Sequence, residues 1–233
     1  MTDSIYRTGE YLAKHPTWHA EDSPWKAKQI RRMLERNSMN PSTFCEIGCG
    51  AGAILAHLQK HSSPDVRFWG YEISPQAYEL CRAMENENLH FLLGDILEEQ
   101  EQPHKRFDVV LLMDVIEHVE DHLGFLRKVQ PLGKAKIFHF PLDLSAQSVA
   151  RNIPSKLRRG GHLHYFTKQL AVDTLEDTGY RVIDYFYTPA LLENGSPELK
   201  TRLMRGPRRL LYALSPDTAA LWLGGFSLLV LAM

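Results

Sequence analysis

The residues best suited to chemistry begin in the run FCEIGCGAG, residues 44–52, where Gly48, Gly50 and Gly52 alternate with small side chains directly after an apolar stretch. Glycine enters left-handed backbone freely and, lacking Cβ, lets a ligand approach the main chain. A helix opening near Ala51 adds unpaired amides on the same side, so the run predicts a cradle for a nucleotide-like cofactor. Four acids accompany it: Glu46, two residues before the first glycine, Glu72 in FWGYEIS, Asp95 in LLGDI, and Asp114 at the head of DVIEHVED. A carboxylate offers two acceptor oxygens to a pair of ribose hydroxyls. Glu72 lies at the distance the dinucleotide fingerprint places its ribose acid, and Gly48, Gly50 and Ala53 satisfy that fingerprint as well. The DVIEHVED block suggests a different chemistry: Glu117 and His118 adjoin, Asp114 stands one turn earlier if the segment is helical, and His162 and His164 follow in HLHYF. Carboxylate and imidazole together serve proton transfer or hold a divalent cation.

Positioning these groups requires regular elements, and the apolar pattern supplies them. Strands are expected at 43–47, 66–72, 89–93, 107–113, 134–140, 181–188 and 226–232, separated by amphipathic helices with conventional start signals. Ser74 with Pro75, and Thr167, read as N-caps. The nearly unbroken apolar run FDVVLLM suits a strand buried on both faces of a parallel sheet. Alternating strands and helices imply right-handed crossovers and a doubly wound sheet, whose ligands bind at the carboxyl ends of the strands. Glu46, Glu72, Asp95 and Asp114 all fall at such ends, and His139, inside the fifth strand, reads as a satisfied structural residue.

Taken in order and spacing, Glu46 with the glycines, Glu72, Asp95 and DVIEHVED resemble the class I S-adenosylmethionine-dependent methyltransferases, over most of the chain from about Phe44 onward. The resemblance implies an α/β fold with a doubly wound, mostly parallel seven-stranded sheet and an antiparallel last strand. It implies S-adenosylmethionine as cofactor and S-adenosylhomocysteine as product. Gly48, Gly50 and Gly52 would lie beneath the cofactor, Glu46 would organise its amino-acid end, and Glu72 would bind the ribose. Asp95 would accept from the adenine amino group between Ile73 and Ile96, with Met113 and Asp114 completing the site. Residues 1–40 would form an arm and helix over the cofactor, bringing Tyr11, Trp18, His19 and Lys26 close to it. Residues 41–233 would form the methyltransferase domain, with a substrate loop at 141–166 and a basic connection at 189–217. The acceptor implied is a small molecule methylated at oxygen, beside Tyr11, Trp18, His162 and His164, with His118 handling the proton. The Asn/Asp-Pro-Pro-Tyr/Phe motif of many N-methyltransferases is replaced by Asp114-Val115-Ile116-Glu117. Ubiquinone-pathway and small-RNA methyltransferases with a similar Glu-His block bind a divalent metal. Glu117, His118 and His162 would be its ligands here, as the alternative to a metal-free site.

Composition narrows the rivals. With 27 basic and 28 acidic residues the net charge is −1, so no global field draws the chain to nucleic acid. Hydrophobic content of 44% excludes disorder as the general state. Three cysteines make no secreted disulfide framework. Without an apolar signal near the N-terminus, a cytoplasmic location is expected. The uncharged residues 219–233 fall short of the roughly 18–20 needed to span a bilayer and are divided by Gly224-Gly225. Three other readings remain: a nicotinamide-dependent oxidoreductase on the same glycine turn, a catalytically silent S-adenosylmethionine-binding protein, and a lipid-modifying peripheral methyltransferase using the basic 198–212 segment. That segment otherwise reads as a solvated charged face.

Overall fold

The computed structural model describes residues 8, 17–18, 20–98, 106–158, 160–194 and 205–233. A seven-stranded sheet runs in the order β3-β2-β1-β4-β5-β7-β6. Its strands are β1 (Thr43–Ile47), β2 (Arg67–Glu72), β3 (Leu89–Leu93), β4 (Phe107–Met113), β5 (Gly133–Pro141), β6 (Val182–Thr188) and β7 (Ser227–Ala232). The first five pair in parallel, and β7 inserts antiparallel between β5 and β6. This is the expected topology, and each strand lies within one residue of its expected span. The order reverses between β1 and β4, so a crevice opens at the carboxyl ends of those two strands.

The side chains of each strand alternate between two cores because successive residues of a strand point to opposite faces. One core gathers Cys45, Trp69, Val110, Leu112 and Phe138, covered by α4 (His122–Val129), α7 (Lys168–Asp177) and α10 (Pro216–Leu223). The other gathers Phe44, Phe68, Val109, Leu111 and Ile137, covered by α1 (Ser23–Arg36), α2 (Ala53–Gln59) and α3 (Pro75–Cys81). Strand β4 is central and covered on both faces, which explains its unbroken apolar sequence. The capping signals act as read: the Ser74 hydroxyl accepts from the Ala77 amide at 3.4 Å, and that of Thr167 from the Leu170 amide at 3.2 Å.

Helix α1 is fastened to the β6 side of the sheet. The Arg36 guanidinium donates two bonds of 2.9 Å to Asp184 on β6. Near its start, Trp25 Nε1 and Gln29 Nε2 donate to Glu193 of the short helix α8 (Ala190–Glu193) at 2.6 and 3.1 Å. Between β5 and α7 the chain forms two short helices, α5 (Ala146–Ala150) and α6 (Ile153–Arg158), and between α8 and β7 it adds α9 (Arg205–Leu214) before α10.

In the basic 198–212 segment, of which residues 198–204 lie outside the described residues, Arg209 is exposed as expected of a solvated face and Arg208 departs from it. Arg208 is buried, and its guanidinium donates to the carbonyls of Gly224 and Leu223 and to Gln147 of α5. Three acceptors satisfy most of the fork, which makes burial of the charge affordable. The uncharged residues 219–233 divide into the end of α10 and the buried strand β7, and no helix among the described residues is long and apolar enough to cross a membrane.

Candidate active site

The crevice at the carboxyl ends of β1 and β4 is a cavity of about 730 Å³. Its floor is the glycine turn after β1. Gly48, Gly50 and Gly52 take φ of +70°, +54° and +71°, the left-handed region that a side chain enters at a cost. Their surroundings differ. A Cβ on Gly50 would lie 2.6 Å from the indole of Trp18, which sits over the turn and lines the cavity. A Cβ on Gly52 would instead meet Cys81 and the Phe91 ring at 2.6 Å, inside the packing of α2 against α3 and β3. Gly48 and Gly50 line the cavity, whereas Gly52 does not. Its role is close packing at the start of the helix, a correction to the expectation that all three glycines face the ligand.

Glu72, at the end of β2, ties the turn together. Its Oε2 accepts the Gly50 amide and its Oε1 the Ser74 amide, each at 2.8 Å. Each oxygen retains lone-pair capacity toward the cavity it lines. Burial raises the carboxyl above its usual range, opposed by these amide bonds. Glu46 is more extreme. It is 1% exposed and its Oε2 has no hydrogen-bond partner among the described residues. Burial, countered by Lys26 and reinforced by Glu72, lifts its pKa to about 8. A buried, cavity-lining carboxyl with an unpartnered oxygen is a site prepared for a donor or a cation.

Asp95 lines the cavity with Ile73, and its Oδ1 accepts the Leu97 amide at 2.9 Å, so it shapes its own turn as well. Ile96 does not join them. It is fully buried in the core shared with Trp69 and Phe107, and Leu97 takes the place on the cavity wall expected for it. The strand has ended at Leu93, and Asp95–Glu98 is a turn closed by the Glu98 amide on the Asp95 carbonyl at 2.9 Å, which buries Ile96 and leaves Leu97 on the wall.

The opposite wall is an ion network that joins four elements. Asp114 follows β4 with φ of +59° and directs one oxygen to Lys26 Nζ of α1 and the other to His139 Nδ1 of β5, both at 2.6 Å. His139 Nε2 lies 2.9 Å from the Thr188 hydroxyl at the end of β6. Burial would raise the Asp114 carboxyl, but His139 and Lys26 outweigh it and hold it well below the usual carboxylate range. Lys26 loses by burial and gains more from Asp114, so its ammonium titrates above its ordinary value. His139 is thus satisfied by hydrogen bonds and also lines the cavity, beside Lys26, Met113 and Asp114.

Beyond the network lies the histidine side. Asp114 and Glu117 are not successive turns of an α-helix, because residues Ile116–His118 form a single 3-10 turn. That turn buries Glu117, whose Oε2 has no hydrogen-bond partner among the described residues. Burial and then the Asp114 charge push its carboxyl well up. The Glu117 carbonyl accepts the amides of Leu163 and His164, which clamps the returning loop onto the turn. His118 Nδ1 lies 3.0 Å from the Gly161 carbonyl. A carbonyl only accepts, so Nδ1 carries the hydrogen and Nε2 keeps the lone pair. Burial lowers the His118 pKa to about 4, leaving the ring neutral near pH 7. His162 packs edge-on to His118 with centroids 4.8 Å apart, and its Nδ1 lies 3.0 Å from Asp143 Oδ2. Ligand atoms of Glu117, His118 and His162 fall within 4.8 Å of one another, the grouping expected for a cation.

His164 stands apart from this group and does not line the cavity. Its Nε2 pairs with the Val119 carbonyl at 2.9 Å and its ring packs on His122. In HLHYF, one histidine therefore faces the cavity and the other braces the loop. Tyr11 and His19 lie outside the described residues. The residues that sequence reading missed are Trp25, Leu97, Val115 and His139 on the cavity wall, and Asp143 behind His162. Leu97 is brought in by the turn at Asp95–Glu98, for which no periodic signal existed, and Val115 by following Asp114 directly. For the others, long-range packing alone brings them in.

A methyltransferase-domain family model matches residues 18–185, the span that supplies the cavity wall apart from Ala190 and Ser227. The chain belongs to that family. Among curated relatives, the methyltransferase domain is 32% identical over 111 residues to a ubiquinone biosynthesis O-methyltransferase of Rhodopseudomonas palustris, covering 44% of this chain and 42% of that one. It is 28% identical over 111 residues to norajmaline N-methyltransferase of Rauvolfia serpentina, covering 45% and 36%. The match thus spans less than half the length of these relatives, and they modify different atoms. Among solved structures, a putative methyltransferase complexed with the Haloferax volcanii Trm112 activator superposes with a TM-score of 0.64 at 16% identity, covering 97% of this chain and 94% of that one. Magnesium protoporphyrin IX methyltransferase of Synechocystis PCC 6803, with SAH bound, superposes with a TM-score of 0.58 at 14% identity, covering 90% and 82%. At these identities the likeness establishes the methyltransferase fold.

Proposed function

We propose that this protein transfers a methyl group from S-adenosylmethionine to a small-molecule hydroxyl. The observation that carries the reading is the division of one cavity into two chemistries. The Gly48–Gly50 floor with Glu46, Glu72, Ile73 and Asp95 lies on one side, and His118 and His162 on the other. The first side fits the cofactor: the unpartnered Glu46 oxygen suits its ammonium, Glu72 its ribose hydroxyls, and Asp95 its adenine amine, with Ile73 and Leu97 as apolar walls. When bound, the cofactor supplies a methyl carbon already activated by a sulfonium, so placing the acceptor in line does most of the remaining work. A hydroxyl acceptor must also release a proton, and neutral His118, with Nδ1 fixed on Gly161, presents Nε2 to take it. The related O-methyltransferases support oxygen as the acceptor atom, and the Glu117 Oε2, without a hydrogen-bond partner among the described residues, favours a second reading in which Glu117, His118 and His162 hold a divalent cation that acidifies the hydroxyl.

Isothermal titration with S-adenosylhomocysteine and NADH tests the cofactor, and turnover of phenolic and amine acceptors with and without chelator tests the rest. The expected result is binding of S-adenosylhomocysteine alone, with chelator-insensitive methylation of a phenol. Binding of NADH alone would overturn the reading, and activity lost to chelator and restored by added metal would select the second one. His118→Ala is expected to reduce turnover by about 10²–10⁴-fold with the cofactor dissociation constant within about twofold. Loss of both together would show that His118 only holds the loop.

A further inference from the structure

We propose that the cap formed by α5, α6, α9 and α10 is a docking surface for an anionic lipid bilayer. Helix α10 packs against both α5 and α9, and buried Arg208 bonds α9 to Gln147 of α5 and to the carbonyls of Leu223 and Gly224. With α6 packed on α5, four helical segments are held as one unit. On its outside, Leu210 and Leu214 are 65% and 76% exposed, and Leu221 and Trp222 are 53% and 60% exposed. Leu210 and Leu214 are one turn apart on α9, opposite the side from which Arg208 packs inward. Such exposure of large apolar side chains next to one another marks an interaction face.

Charge identifies the occupant. Neither residues 144–158 nor 205–216 contain an acid, whereas Arg151, Lys156, Arg158 and Arg209 are exposed among them. Asp217, the acid of α10, is engaged by Lys168 Nζ and the Tyr187 hydroxyl. In a chain of net charge −1, this cap carries these four exposed cations together with the exposed leucines and tryptophan. Arginine around Leu and Trp is the composition of helices that lie in a headgroup layer, with the cations on anionic lipid and the apolar side chains below them. A nucleic acid would satisfy the arginines but offers no apolar phase to the leucines. Two of its helices, α5 and α6, belong to the stretch of chain between Pro141 and His162, both of which line the cavity.

Flotation of the full chain with vesicles tests the surface independently of methyl transfer. The protein is expected to float with phosphatidylcholine vesicles containing phosphatidylglycerol, less as salt is added, and not with phosphatidylcholine alone. Two variants of exposed residues, Leu210→Ser/Leu214→Ser/Trp222→Ser and Arg151→Glu/Arg209→Glu, should each lower partitioning by roughly tenfold or more with an unchanged circular dichroism spectrum. A wild-type protein that does not float, or partitioning that either variant leaves unchanged, overturns the proposal. So does a dimer dispersed by the apolar variant without any flotation, which would assign the face to a second copy. RNA retardation lost only in the arginine variant would assign it to nucleic acid and likewise overturn the proposal.

Discussion

At the scale of single residues the site is governed by carboxyls in unequal surroundings. Asp114 is held ionised by Lys26 and His139, whereas Glu46, a few residues from them in space, carries a proton up to about pH 8. The sign of the linkage follows. The folded pKa of Glu46 exceeds its ordinary 4.5, so its contribution to stability is full below about 4.5 and is lost as pH rises through 8. Glu46→Gln is expected to flatten the stability–pH curve over that window, by an amount on the order of several kcal/mol, measured by denaturant unfolding at a series of pH values. If Glu46 meets the cofactor's ammonium, binding must also ionise it. Affinity for S-adenosylhomocysteine should then climb toward pH 8 by up to about tenfold per unit, and Glu46→Gln should abolish that slope in titration calorimetry. The sequence placed Glu46, Glu72 and Asp114 at strand ends, but the ionisation of Glu46 and Asp114 depends on burial and on neighbours from α1 and β5.

At the scale of elements, the left-handed turn and the 3-10 turn do the positioning. The glycine turn was legible because three alternate glycines have few other uses, yet the letters did not tell Gly50, under Trp18, from Gly52, packed on Phe91. Gly52→Ala combines a left-handed residue with crowding against a ring. It is expected to cost about 2–4 kcal/mol of stability, measured as a shift in the denaturant midpoint, with residual folded protein still binding cofactor. Loss of affinity without loss of stability would return Gly52 to the ligand. The letters of the DVIEHVED block leave its conformation open, with helical spacing as a condition; left-handed Asp114 and a single 3-10 turn aim Asp114 at Lys26 and bury Glu117. Local propensity carries no information about that choice; the ion pairs and the clamp on the Glu117 carbonyl decide it.

At the scale of the molecule, one sheet with two cores holds everything in place. Leu111 lies in the middle of β4 at zero exposure, in the core shared with α1 and α2. Leu111→Ala is expected to cost about 2–5 kcal/mol, read from chemical denaturation. A smaller loss would mean that the core around the strand collapses to fill the space. The periodicity of apolar residues by itself determined the strands, their order along the chain and the parallel class of the sheet, because burial on two faces leaves an unbroken apolar record in the sequence. It also determined that the polar residues gather at one rim, since each ends a strand. Tertiary structure alone decided which residues meet across that rim: Lys26 with Asp114 over 88 positions, His118 with the Gly161 carbonyl, Arg208 under the cap, and Leu97 in the place expected of Ile96. Those meetings are set by helix crossings and loop returns, whose energies arise from contacts between distant segments and leave no periodic trace in either segment.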